Sequence, residues 1–106
     1  YGGAYYNLGT LLIKMKDYRA ALEPLYEAIR INPQSSDAQY NLAVAQAHLG
    51  EKMQALDSLR KAIELQPDLD AEAERDPDFQ PLQADPDFRA ITRQGSSKDQ
   101  DDDEHE

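Results

Sequence analysis

The side chains that could carry proton-transfer or metal chemistry near neutral pH are two histidines, His48 and His105, and twenty-one carboxylates. The sequence contains no cysteine, which excludes thiolate nucleophiles, disulfides and Cys-ligated zinc or iron–sulfur centres. No serine sits in a Gly-x-Ser-x-Gly turn, and Gly2-Gly3 is an isolated pair rather than part of a phosphate-binding glycine loop. The densest carboxylate run is Asp101, Asp102, Asp103 and Glu104, beside His105. It lacks the spacing and the turn glycine of a calcium loop, so any divalent ion would be held weakly. The other carboxylates fall on polar helix faces. The expectation is no autonomous catalysis, no resident metal and no cofactor.

Recognition is the chemistry that the spacing does support. Tyr6-Asn7 is repeated as Tyr40-Asn41, and a stripe at helical spacing runs Tyr6, Thr10, Ile13 in one place and Tyr40, Val44, Ala47 in the other. Lys14 and His48 flank the two stripes at matching positions. An asparagine presents a donor and an acceptor together, the pair needed to hold the main-chain amide of an extended peptide. The match extends well beyond these residues. Under a shift of 34, Ala4, Leu8, Ala21, Leu22, Leu25, Ala28, Ile29 and Pro33 also recur, as Ala38, Leu42, Ala55, Leu56, Leu59, Ala62, Ile63 and Pro67. Such a period marks an array of supersecondary units, each with an apolar face that it cannot bury alone.

Local signals make each unit a helical hairpin. Helix is expected from about Gly3 to Met15, a turn at Lys16-Asp17 with Asp17 as N-cap, then helix from Tyr18 to Ile31, ended by Asn32-Pro33. In the second unit Ser36-x-x-Gln39 has the form of a capping box, starting a helix near residue 37 that Gly50 stops in a left-handed conformation. Its partner helix runs from about Lys52 to Leu65, before Gln66-Pro67. Pro24 lies two turns inside its helix, where a local bend facing outward is expected.

These residues resemble the tetratricopeptide repeat. The first unit reads Tyr5-x-x-Leu8-Gly9-x-x-Leu12, then Ala21-x-x-x-Leu25, then Pro33. The second reads Gln39-x-x-Leu42-Ala43-x-x-Gln46, then Ala55-x-x-x-Leu59, then Pro67, departing from the signature at Gln39, Ala43 and Gln46. The resemblance implies an all-α, right-handed solenoid with repeats at 2–35 and 36–69. It also implies a concave groove lined by Tyr6, Asn7, Thr10, Ile13, Lys14, Tyr40, Asn41, Val44, Ala47 and His48. Relatives that clamp the C-terminal carboxylate of chaperones use lysine and asparagine where this chain has Tyr6 and Thr10. Asn41 matches that clamp and Arg75 meets one of its later basic positions, but Ala71 stands at the other. The groove is therefore expected to take a peptide or helix with apolar anchors.

Residues 70–94 read as a truncated third unit plus a cap. Asp76-Pro77-Asp78-Phe79-x-x-Leu82 is echoed by Asp85-Pro86-Asp87-Phe88-x-x-Ile91. In each copy Asp suits the N-cap, Pro the first helical position, and Phe shares a face with the aliphatic residue three places on. Two short helices are expected to fold these pairs over the open end of the array, after a shortened helix from Leu69 to Arg75. Similar paired segments close many bacterial tetratricopeptide proteins. From residue 95 the chain has no apolar side chain and is expected to be a disordered acidic tail.

The net charge of −10 is confined to the C-terminal third, because residues 1–67 balance seven acids against seven bases. A nucleic-acid backbone or an anionic membrane would meet no basic field, and no apolar run approaches the length of a bilayer span. A protein-interaction adaptor, placed in the cytoplasm, is the expected function. Two other readings stand beside it. The segment could cap a longer array or self-associate through its N-terminal face, where Tyr5 and Leu8 lack a preceding unit, or it could be the regulatory part of an enzyme.

Overall fold

The computed structural model describes residues 2–92, so the acidic run 95–106 with His105 lies outside the described residues. The chain is all-α. Helices α1 (Gly2–Lys14) and α2 (Tyr18–Ile31) form the first hairpin, and α3 (Ser36–His48) and α4 (Lys52–Leu65) the second. The short helix α5 (Leu69–Arg75), a 3-10 helix (Pro77–Leu82) and α6 (Pro86–Thr92) follow. Among the described residues no helix is long and apolar enough to cross a membrane.

The helix ends follow from capping chemistry. Asp17 accepts a hydrogen bond from the Ala20 amide at 3.3 Å and starts α2. The start of α3 departs from the expected capping box. Ser35, one residue earlier, caps the helix by accepting from the Ala38 amide at 3.2 Å. Ser36 instead donates to Gln66 Oε1 at 2.8 Å, tying the two ends of the second repeat together. Gly50 ends the first helix of that repeat with φ +78°. Thirty-four residues earlier, Lys16 holds the same left-handed conformation with φ +63°. A side chain in that region is strained against its own backbone, so the two turns share a geometry but only one has the residue that suits it.

Packing is tightest where the helices of a hairpin touch. Gly9 lies against Leu25, and an added Cβ would sit 2.6 Å from the leucine side chain, so α1 and α2 approach at a point where only hydrogen fits without a shift. The repeat places Ala43 and Leu59 at the equivalent positions, both fully buried. One apolar cluster joins the hairpins through Ala21, Leu25 and Leu42, with Leu12, Ile13, Leu22 and Ile29 packed around it. A second contains Leu56, Leu59, Ile63, Leu69, Phe79, Leu82, Phe88 and Ile91, and extends to Tyr40, Val44 and Ala47.

Two expectations change. Helix α2 runs unbroken through Pro24, and that residue is buried rather than facing outward, beside Tyr5 and Leu8 in the wall of an open pocket of about 390 Å³. The amide that Pro24 lacks would have served only the carbonyl of Ala20, an exposed residue. The first cap helix is a 3-10 helix, opened by the Phe79 amide donating to the Asp76 carbonyl at 3.0 Å, with Pro81 inside it contributing no donor.

Relief of the strained turn gives a direct check. Lys16→Gly is expected to raise the unfolding free energy by about 1 kcal/mol, and Gly50→Ala to lower it by about the same amount. Urea denaturation followed by helical circular dichroism measures both.

Candidate functional site

The predicted groove residues divide into two sets. On α1, Tyr6 is half-buried and Asn7 and Lys14 are exposed. Tyr6 lines an open pocket of about 370 Å³ with Ala28, Ile31, Asn32, Ser35 and Asp37, between the start of α1, the end of α2 and the start of α3. Thr10 is bonded to the neighbouring helix, its Oγ1 accepting from Asn41 Nδ2 at 3.1 Å. That bond fixes the Asn41 amide plane and uses one of its donors. Ile13 is partly buried and packs against both apolar clusters, so it belongs to the junction more than to an open wall.

On α3 the stripe is covered. Tyr40, Val44 and Ala47 are buried under the C-terminal segment, which crosses their face as well as closing the end of the array. The Tyr40 and Phe79 rings meet in a T-shaped contact at a centroid distance of 5.5 Å, and Phe79 in turn packs on Phe88 at 5.7 Å. The Tyr40 hydroxyl donates to Asp76 Oδ2 at 2.7 Å. His48, the last residue of α3, stacks on Tyr18 at 4.0 Å and lies 2.9 Å through Nε2 from Asp78 Oδ1.

Asp76 therefore does two things at once. One carboxylate oxygen accepts from the Asp78 amide at 2.9 Å and caps the 3-10 helix, while the other takes the Tyr40 phenol. Asp85 repeats the arrangement one motif later. Its Oδ1 accepts from the Asp87 and Phe88 amides at 2.9 and 3.3 Å, and its Oδ2 pairs with Lys52 at the start of α4. The caps were legible in the repeated Asp-Pro-Asp-Phe; the second oxygen of each carboxylate was not. The available signal was that both phenylalanines of the chain lie in these two copies, which makes the segment an anchor rather than a linker.

Electrostatics reinforce the arrangement. Burial, then the bond to Asp76, holds the Tyr40 phenol well above the usual tyrosine range, so it remains a donor. The hydrogen bond from Lys52, together with the two backbone amides, holds the Asp85 carboxyl below the usual carboxylate range. At the back of α3, Gln46 is buried and bridges the hairpins: it donates to the Tyr26 hydroxyl at 3.3 Å and accepts from Ser58 Oγ at 2.8 Å. Its departure from the repeat signature is thus a polar tie inside the stack. Among the described residues no group of three His, Asp or Glu side chains converges as metal ligands would.

Removal of the Tyr40 hydroxyl tests the contact. Tyr40→Phe is expected to destabilise the chain by about 2 kcal/mol at neutral pH, since it strands a carboxylate oxygen at a part-buried contact. A phenol raised by folding contributes stability that is present below the unfolded value, about pH 10, and is lost as pH climbs toward the higher folded value. The wild-type advantage should therefore narrow above about pH 10, as read from urea midpoints of the two proteins across pH.

Two consecutive copies of the tetratricopeptide repeat family model match the chain, at residues 3–35 and 36–69. The chain is also 32% identical over 79 residues to sperm-associated antigen 1 of Mus musculus, a match that covers 69% of this chain and 9% of that protein. It thus spans under a tenth of that relative's length. No solved structure matches the chain. Two hairpins of the expected period, small residues where their helices cross, and both family matches lead to one conclusion: the chain belongs to the tetratricopeptide repeat family, whose members serve in general as protein–protein interaction modules.

Proposed function

We infer that this chain is an adaptor that seats a peptide or helix of a partner protein along the inner side of its first repeat, on Tyr6, Asn7, Thr10 and Lys14, with Asn41 at the border. The observation that carries this reading is the contrast between the repeats. Tyr6 borders an open pocket of about 370 Å³, whereas its counterpart Tyr40 is already buried by the chain's own cap. A half-buried tyrosine next to an exposed asparagine, with an exposed lysine two turns further along α1, offers an aromatic anchor with polar contacts along the same helix. Tyr40, Val44 and Ala47 on α3 belong to the same side but require the cap to move before a partner can reach them, whereas His48 at the end of that helix is exposed.

A second reading is favoured by one feature of α1. Tyr5, Leu8, Leu11 and Met15 are exposed on the face opposite the groove. Their counterparts in the second repeat, Gln39, Leu42, Ala45 and Leu49, are buried or half-buried. The first repeat thus presents an unpaired stacking surface, suited to a further helical unit or a second copy of the chain.

A pull-down with the intact chain separates the two readings. Tyr6→Ala/Asn7→Ala, still folded by circular dichroism, is expected to weaken retention of a specific partner about 30-fold, the loss of roughly 2 kcal/mol that an aromatic anchor carries. Retention unchanged by that variant but abolished by Leu8→Glu would overturn the groove reading in favour of the stacking face.

A further inference from the structure

Half of the concave wall is covered by a piece of the chain itself, and the contacts made there resemble those of a bound peptide. Residues 76–82 read Asp-Pro-Asp-Phe-Gln-Pro-Leu. Phe79 is fully buried against the Tyr40 ring over a floor that includes Val44 and Ala47. The two carboxylates bracket this anchor: Asp76 accepts from the Tyr40 hydroxyl at 2.7 Å, and Asp78 lies 2.9 Å from His48 Nε2. An aromatic group in an apolar seat, with polar contacts at either side, is how grooves hold short segments.

The segment is also built to come away. It is a 3-10 helix of six residues, whose hydrogen bonds are poorer than those of an α-helix, and Pro77 and Pro81 contribute no backbone donors. Its two ends are anchored without it. Helices α5 and α6 touch each other directly, and Asp85 fastens the start of α6 to Lys52 on α4. Residues 76–84 can therefore lift as a loop whose ends remain together, which limits the entropy of opening. Phe88 and Ile91 stay behind to cover the end of the array.

We propose that the inner wall of α3 is a docking site for an acidic–aromatic segment of a partner protein, of the Asp-Pro-Asp-Phe kind, and that Asp76–Leu82 is the resident copy such a segment displaces. This rests on the reading of the concave side as the binding surface and adds the chemistry of the partner. An arriving segment of the same kind would meet the partners that the resident carboxylates leave, the Tyr40 hydroxyl and His48 Nε2. The resident copy sets a threshold: apparent affinity is reduced by the fraction of molecules in which the wall is free.

The test uses the full chain and a fluorescein-labelled peptide of residues 74–84, followed by anisotropy. Asp76→Asn/Asp78→Asn weakens the resident's polar contacts while keeping Phe79 and a capping side chain. This variant should bind the peptide at least tenfold more tightly than wild type, and adding Tyr40→Phe should remove the gain. A folded Asp76→Asn/Asp78→Asn variant that fails to bind the peptide overturns the proposal, as does one that dimerises through its own segments. Native-state hydrogen exchange on the wild type needs no variant to fold. The Phe79 amide should exchange at least tenfold faster than the amides of α3 and α4, and exchange only in step with them would also overturn the proposal. If the peptide fails while a partner lost by Tyr6→Ala/Asn7→Ala is still retained, this inference alone falls. If that partner fails too, the groove reading falls with it.

Discussion

The carboxylate of Asp76 is the point on which the closed end of this molecule turns. With one oxygen it caps a 3-10 helix, and with the other it receives the Tyr40 phenol at 2.7 Å. The cap fixes where Phe79 emerges, and the phenol fixes where that emergence lies on α3. Phe79 then joins Phe88, Leu82 and Ile91 in a single cluster with the inner face of the second repeat. A hydrogen bond to a charged acceptor is among the stronger polar contacts, and here burial keeps its donor protonated. The echo at Asp85, which caps α6 and pairs with Lys52, gives the same device a second fixed point on α4.

This closure explains why two repeats with so many identical residues present such different surfaces. A hairpin of this kind buries its apolar face only against a neighbour. The second repeat has neighbours on both sides: Ala21 and Leu25 of α2 pack on Leu42, and the cap covers Tyr40, Val44 and Ala47. Among the described residues the first repeat packs against a neighbour on one side, with Leu8, Leu11 and Met15 exposed and Tyr6 beside an open pocket. Divergence between the repeats follows that division. Gln39 and Gln46 replace apolar or aromatic residues where the second repeat stacks, and Gln46 uses its amide to join Tyr26 and Ser58 across the hairpins.

The hairpins were legible because their signals are local and periodic. The 34-residue repeat, Asp17, Gly50 and the terminal prolines define α2 and α4 to the residue, and α5 spans the predicted Leu69–Arg75. What escaped the sequence was long-range or depended on competition between neighbours. Ser35 and Ser36 both suit an N-cap, and only the demand of Gln66 for a donor separates them. The burial of Pro24 depends on the opposing face of α1. Asp76 and Tyr40 lie thirty-six residues apart, and nothing in either local pattern announces the bond. Of the groove residues expected on α3, Tyr40, Val44 and Ala47 lie under the chain's own C-terminal segment, a contact no local pattern announces.

The seat of Phe79 on the α3 wall is the claim on which the rest depends most directly. Carbon-edited nuclear Overhauser spectroscopy of the intact chain reads it without any substitution. The account predicts cross-peaks from the Phe79 ring to the Tyr40 ring protons, with the Phe79 ring also contacting that of Phe88. A Phe79 ring that shows contacts to Phe88 but none to Tyr40 would place the segment beyond the end of the array and contradict the closed wall.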